Sequence, residues 1–321
     1  MSERILVIGA CGQIGTELVE ALAGIYGNGN VLATDVRDAG NVPDVPYKKL
    51  DVLDQKGVAE TIMQFRPHQI YHLAALLSAT AEKNPKLGWQ LNMDGLFYVL
   101  DAALEAGVGK VYWPSSIAAF GPNTPRLDTP QYCVMDPNTV YGISKLAGER
   151  YAEYYFRRYG LDVRSIRYPG LIGWKAAPGG GTTDYAVSIY YDALQSGHHH
   201  CFLREDTLLP MLYMPDAIRA TLEIMHAPAE QIKIRSSYNL SGMSFTPTQI
   251  ADSIARVMPG FSISCEPDYR QAIADSWPGS IDDSRARSDW GWKHQFDLDA
   301  MTADMLHNLK TVKGIGRTEG F

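Results

Sequence analysis

The strongest constraint in this chain is an apolar run, Ile5-Leu-Val-Ile8, that stops on Gly9 and leads through glycines at 12 and 15 into a helically periodic stretch at 13–23. Four consecutive apolar residues suit a strand covered on both faces, and such strands belong to parallel sheets, whose neighbours are joined by helical crossovers. The chain is thereby committed to an α/β fold. Further strand candidates follow at 31–34, closing on Asp35, and at 70–75, 111–113 and 163–168, separated by helical stretches near 55–65, 85–106 and 139–159. That alternation predicts a doubly wound parallel sheet.

After Tyr168 the texture changes: Pro169-Gly170 leads to Pro178-Gly-Gly-Gly181, and shorter elements then alternate with proline and glycine as far as Trp292. We expect residues 1–169 to form a nucleotide-binding domain and 170–321 to form mainly a smaller substrate lobe. A helix opened by Pro215-Asp216 and a strand at 238–240 are expected to return to the first domain, near 215–241. The tail after Val312 is expected to be mobile.

At 321 residues, with 45% apolar and 20% charged side chains, the chain can bury a full core. Its net charge of −7 argues against a nucleic-acid backbone or an anionic membrane as the main partner. The four cysteines, 11, 133, 201 and 265, stand far apart without a CxxC pair, so neither a zinc site nor a disulfide framework is expected. His198-His-His200 reads as a polar loop, because consecutive positions on a regular element cannot all face one ion. The first strand begins too early to leave room for a leader, and no apolar run spans a bilayer. A cytoplasmic protein is expected.

Glycines between a strand and a helix let backbone approach a pyrophosphate while the helix N-terminus faces its charge. Asp35, twenty positions beyond Gly15, is placed to bind both ribose hydroxyls and to repel a 2′-phosphate, which favours NAD over NADP; Arg37 nearby softens that discrimination. Asp51-Val52 could meet the adenine edge, or Asp51 could be a solvated turn residue. The small residues of Leu73-Ala74-Ala75 would let backbone lie against a cofactor, and Asn92 could hold either a loop or the ribose. With Gln13, Ile14 and Tyr168, these complete the candidate cofactor contacts.

Tyr141 and Lys145 lie four apart, one above the other on a helix. A phenol titrates near ~10 in water, and a cation about 5 Å away at an effective dielectric of about 20 favours its phenolate by roughly 3 kcal/mol. The pair therefore reads as proton-transfer machinery. Ser115-Ser116 closes the fifth strand candidate at the carboxyl edge of the sheet, where the Ser116 hydroxyl could hold a substrate oxygen. Tyr151, Tyr154 and Tyr155 further along the helix read as packing or dimer contacts.

Taken together, the GxxGxxG turn, Ser116 and Tyr141-x-x-x-Lys145 resemble the extended short-chain dehydrogenase/reductase family, over nearly the whole chain. The resemblance implies a Rossmann domain with a small C-terminal lobe, NAD as cofactor, and a homodimer formed through the helices near 85–106 and 139–159. It further implies Tyr141 as base, Lys145 as ribose ligand and pKa modifier, and Ser116 as orienter. Within that family, Leu76-Leu-Ser-Ala-Thr-Ala-Glu82, Pro178-Gly-Gly-Gly-Thr-Thr-Asp184 and Asp275-Ser-Trp-Pro-Gly-Ser-Ile-Asp-Asp283, leading into Asp289-Trp-Gly-Trp292, resemble the zinc-independent L-threonine 3-dehydrogenases. That implies oxidation of L-threonine at Cβ to 2-amino-3-oxobutyrate. Candidate carboxylate contacts are Thr182, Thr183 and the Gly179–Gly181 backbone, with Asp184 for the ammonium and Ser78 and Trp277 completing the pocket; each also has a plain structural reading as loop, cap or core. Two other functions stay open: a nucleotide-sugar epimerase or dehydratase using the same trio, and a non-catalytic NAD sensor. The epimerase resemblance weakens at Arg167-Tyr-Pro-Gly170, since nucleotide-sugar enzymes commonly carry an Asn where this chain has Gly170.

Overall fold

A computed structural model describes residues 3–40, 42, 44–177, 179 and 181–315. Strands β1 (Ile5–Ile8), β2 (Val31–Asp35) and β3 (Tyr47–Lys49) alternate with helices α1 (Gln13–Tyr26) and α2 (Gln55–Phe65). Then come β4 (Gln69–His72), α3 (Ser78–Lys83), α4 (Pro85–Trp89), α5 (Gly95–Glu105), β5 (Lys110–Tyr112), β6 (Ser115–Ser116), α6 (Val140–Tyr159) and β7 (Asp162–Arg164). The main sheet has the order β3-β2-β1-β4-β5-β7, parallel throughout. It is the expected doubly wound Rossmann sheet. One face packs on α1 through Ile5, Val7, Leu18 and Leu22, the other on α2, α5 and α6 through Leu6, Ile8, Val58, Leu96 and Val163.

Three readings of the sequence change. The run at 163–168 is two strands, β7 and β8 (Ile166–Tyr168), which pair with different partners: β7 with β5, and β8 with β6 and, later, β12 (Tyr238–Asn239). The cause on the partner side is Pro114, which has no N–H to give the ladder and separates β5 from β6. The helix near 85–106 contains a π-turn at Gln90–Asp94 between α4 and α5, an irregularity that often marks functional sites. His198-His-His200 is a strand, not a loop.

The second half holds β9 (Gly170–Ile172), α7 (Tyr185–Gln195), β10 (His198–Cys201), β11 (Leu209–Tyr213), α8 (Met214–His226), β13 (Met243–Phe245), α9 (Pro247–Val257), β14 (Ser262–Cys265), α10 (Arg270–Asp275), α11 (Ser284–Trp290) and α12 (Leu298–Thr311). β10 pairs with β14 in parallel, with His198 bonding Ser262 and Ser264, and His200 bonding Ser264. These cross-strand bonds give an all-polar run a strand's place, which periodicity could not reveal because the three residues are identical. α8 returns to the first half, with Met214, Ala217 and Ile224 in the same core as α1, while α7, α9 and α12 enclose a separate apolar cluster with β11. Among the described residues no helix is long and apolar enough to cross a membrane, and no group of His, Cys, Asp or Glu could hold a metal ion.

Candidate functional site

β1 delivers the chain to Gly9 at φ +90°, where a Cβ would stand 2.6 Å from the Ala74 nitrogen. Only glycine tolerates both that conformation and that approach. The 9–15 turn thus lies backbone to backbone against Leu73-Ala74-Ala75, whose Leu73 N–H bonds the Ile8 carbonyl at 2.7 Å. Gly12 opens α1 without a side-chain cap, and no acid stands in the first turn. Gln13 Nε2 is buried there with no partner among the described residues, and Ile14 packs against the core. An uncapped helix N-terminus beside an unsatisfied amide donor suits an anionic group.

Asp35 ends β2 with its side chain 5% exposed. Its carboxylate accepts the Cys11 N–H at 2.9 Å and two Arg37 side-chain donors at 3.0 and 3.1 Å. Burial raises its pKa, but these bonds outweigh burial and hold it below the usual carboxylate range. Asp51 Oδ1 accepts the Leu53 N–H at 2.9 Å as a turn residue, and Val52 is buried against Gly95. Asn92 clasps a loop: it accepts from Leu76 N at 2.8 Å and donates to Leu76 O at 3.2 Å and Ser144 Oγ at 3.1 Å. Tyr168 turns away. Its hydroxyl donates to Ala217 O and meets Tyr112 and Thr221 in the core, so only its backbone, paired with Ser116, lies at the sheet edge.

Thr139 caps α6, accepting the Gly142 N–H at 3.1 Å. A Cβ on Gly142 would run into the Ala118 carbonyl, so the glycine lets the first turn of α6 close on the loop after Ser116. Tyr141 and Lys145 are brought to that edge, both almost wholly buried. Lys145 Nζ donates to the Pro114 carbonyl at 2.7 Å, stands 4.4 Å from the Trp113 ring centre, and is 5.5 Å from that of Tyr141. Burial pushes the phenol up to about 12, against a hydrogen bond with Ser116 that lowers it. Burial also pulls the ammonium down to about 7, with Glu149 opposing. For both groups burial is the largest influence, and it opposes the help that the phenol was expected to draw from the ammonium.

The remaining candidates stand at the head of α3, before α7 and after α10. Trp277 and Tyr141 share one apolar cluster with Ile117, Phe120 and Tyr185. Thr182 is 1% exposed and its hydroxyl has no partner among the described residues. Thr183 fills the space beside Gly170: a Cβ there would stand 2.8 Å from the Thr183 methyl and would also strike the Met211 sulfur. Asp184 accepts the Gly181 N–H at 2.8 Å at the head of α7. Gly179 approaches Leu77, beside the buried Ser78 that opens α3. Pro178 and Gly180, and most of the tail after Val312, lie outside the described residues.

Sequence reasoning missed three groups. His72 is buried with neither ring nitrogen partnered among the described residues and is driven down to about 3 by burial and by Lys145 nearby; one histidine in an apolar strand was the available signal. Pro114 was missed as the acceptor for Lys145. Glu149, one turn beyond Lys145, is fully buried, accepts the Ser115 hydroxyl at 2.6 Å and pairs with Arg167 at 2.8 Å.

Residues 5–241 match the NAD dependent epimerase/dehydratase family. An uncharacterized epimerase/dehydratase of Staphylococcus haemolyticus is 48% identical over 312 residues, 96% of this chain and 98% of the relative. The holo structure of a GalE-like L-threonine dehydrogenase from Cupriavidus necator superposes with a TM-score of 0.94 at 56% identity, covering 96% of this chain and 100% of that one. A monomeric L-threonine 3-dehydrogenase from a metagenome gives 0.93 at 48% identity, over 96% and 99%.

Proposed function

The chain belongs to the NAD dependent epimerase/dehydratase family and uses NAD, and from that premise we propose that it oxidises L-threonine at Cβ to 2-amino-3-oxobutyrate. The uncapped α1 N-terminus, Gln13 and Asp35 fit the pyrophosphate and ribose; Leu73, Ala74 and Ala75 would lie against the dinucleotide, with Lys145 on its ribose. When bound, NAD supplies the acceptor for the hydride that leaves Cβ and, through its oxidised ring, a second positive charge near the phenol. Tyr141 takes the hydroxyl proton. Ser116 holds the same oxygen and steadies it as the carbonyl forms, while Lys145 favours the phenolate. Thr182 and Thr183 hold the substrate carboxylate, Asp184 faces its ammonium, and Ser78 and Trp277 close the pocket against water.

The observation that carries this reading is the occupied space at Gly170. Thr183 and Met211 stand where a side chain at that position would reach, so the anchor that a nucleotide-sugar enzyme places there has no room. The unpartnered Thr182 hydroxyl adds a donor for a small polar substrate. NADH absorbance after mixing the protein with NAD and either β-hydroxy amino acids or UDP-sugars tests it. L-Threonine should produce NADH. Turnover of a UDP-sugar without net NADH would replace this reading with an epimerase. We also place the enzyme in the cytoplasm and, through the exposed faces of α4 and α6, as a homodimer.

A further inference from the structure

Cysteines 201 and 265, unrelated by spacing in the sequence, stand opposite each other as register partners in the parallel pair β10·β14. Adjacent strands lie about 4.8 Å apart and partners point to the same face, within the roughly 4.4–6.8 Å between Cα atoms that a disulfide spans. Both thiols are free, and they stand close enough for each to influence the ionisation of the other. Cys201 is buried in the lobe, while Cys265 is only partly covered. The other two cysteines sit elsewhere, Cys11 in the nucleotide turn and Cys133 in the loop before α6.

We propose that Cys201 and Cys265 form a reversible redox site that closes to a disulfide under a hydroperoxide and reopens with a dithiol. The Cys265 thiolate attacks the peroxide, breaking its O–O bond, releasing an alcohol or water and leaving a sulfenic acid. Cys201 then attacks that sulfur, forming the S–S bond and releasing water. Two thiols are oxidised by two electrons, and the peroxide is reduced by two. Burial raises the pKa of both thiols, so closure is slow at neutral pH and quickens as pH rises. The consequence is structural. β14 runs directly into Glu266, whose N–H bonds the Cys201 carbonyl at 2.8 Å, and Asp268 N bonds Phe202 O at 3.2 Å. Arg270, which opens α10, lies over the Phe202 ring at 3.1 Å. The bond would thus pin the root of the segment that ends at Trp277.

The folded, full-length protein is treated with hydrogen peroxide, quenched with an alkylating agent and mapped by mass spectrometry, with the count of titratable thiols taken in denaturant. The expected result is a fall from four thiols to two, a Cys201–Cys265 linked peptide, and full recovery with dithiothreitol. Cys265→Ser should retain three alkylatable thiols and form no internal link. Sulfinic acid at Cys265 without a link, a link involving Cys11 or Cys133, or four alkylated cysteines after oxidation would each overturn the proposal. Mapping the unsubstituted protein keeps the test independent of how the variant folds.

Discussion

A buried ammonium and a buried phenol constrain each other at the residue scale. Lys145, drawn down to about 7, would hold its proton to about 10.4 in the unfolded chain. Between those values the unfolded state binds more protons, so stability rises with pH through that window and is lowest below it. Tyr141, raised to about 12, acts oppositely at the alkaline end, where its contribution falls away as pH climbs above about 10. Replacing Lys145 with Met should therefore raise the melting temperature of the protein alone at pH 6 and flatten its rise toward alkaline pH, measured by thermal unfolding across buffers. An unchanged slope would mean that the ammonium is solvated. Of the two, only Lys145 costs stability at neutral pH, and it stands near His72, whose ring nitrogens have no partner among the described residues.

Elements decide which of these residues meet. The strand–turn–helix at 5–26 and the Tyr141–Lys145 spacing were legible in the sequence because each is local, fixed by a run of neighbours and a helical turn. What escaped was long-range: the split of 163–168 into two strands, the Pro114 carbonyl under Lys145, the pairing of His198–Cys201 with β14, and the turning of Tyr168 into the core. Each depends on register across strands. Glu149–Arg167 is the clearest case, since it ties α6 to β8 and, through Ser115, to the strand end that carries Ser116. Breaking a buried pair leaves a charge uncompensated at a cost of about 3–5 kcal/mol. Glu149→Gln should destabilise by that order in urea titration, and Glu149→Gln with Arg167→Met should recover most of the loss. Full stability of the single variant would contradict the assigned role.

For the whole molecule, the division expected from the sequence becomes a proposal: a nucleotide unit up to residue 169, joined by the returning 215–241 segment, and a lobe from the remainder. α8 packing on α1 and β12 pairing with β8 support it. The exposed apolar face of α4 and α6, with Leu87, Trp89, Ile143, Tyr151 and Tyr154 between 38% and 49% exposed, is where we expect a second copy to dock. Sedimentation should give a dimer for this protein and a monomer for Tyr151→Arg with Trp89→Glu. One similar structure is described as monomeric, so a monomer in the unsubstituted protein would be the opposing outcome.

Proton removal by Tyr141 is the central claim, and the rate of NAD reduction by L-threonine as a function of pH, compared between the unsubstituted protein and Tyr141→Phe, tests it most directly. The account predicts a rate that climbs about tenfold per pH unit on the acid side, as the ionised fraction of the phenol grows. It predicts a loss of about 10²–10⁴-fold, with that limb abolished, in the Phe variant. A Phe variant that keeps both the rate and the limb would contradict it.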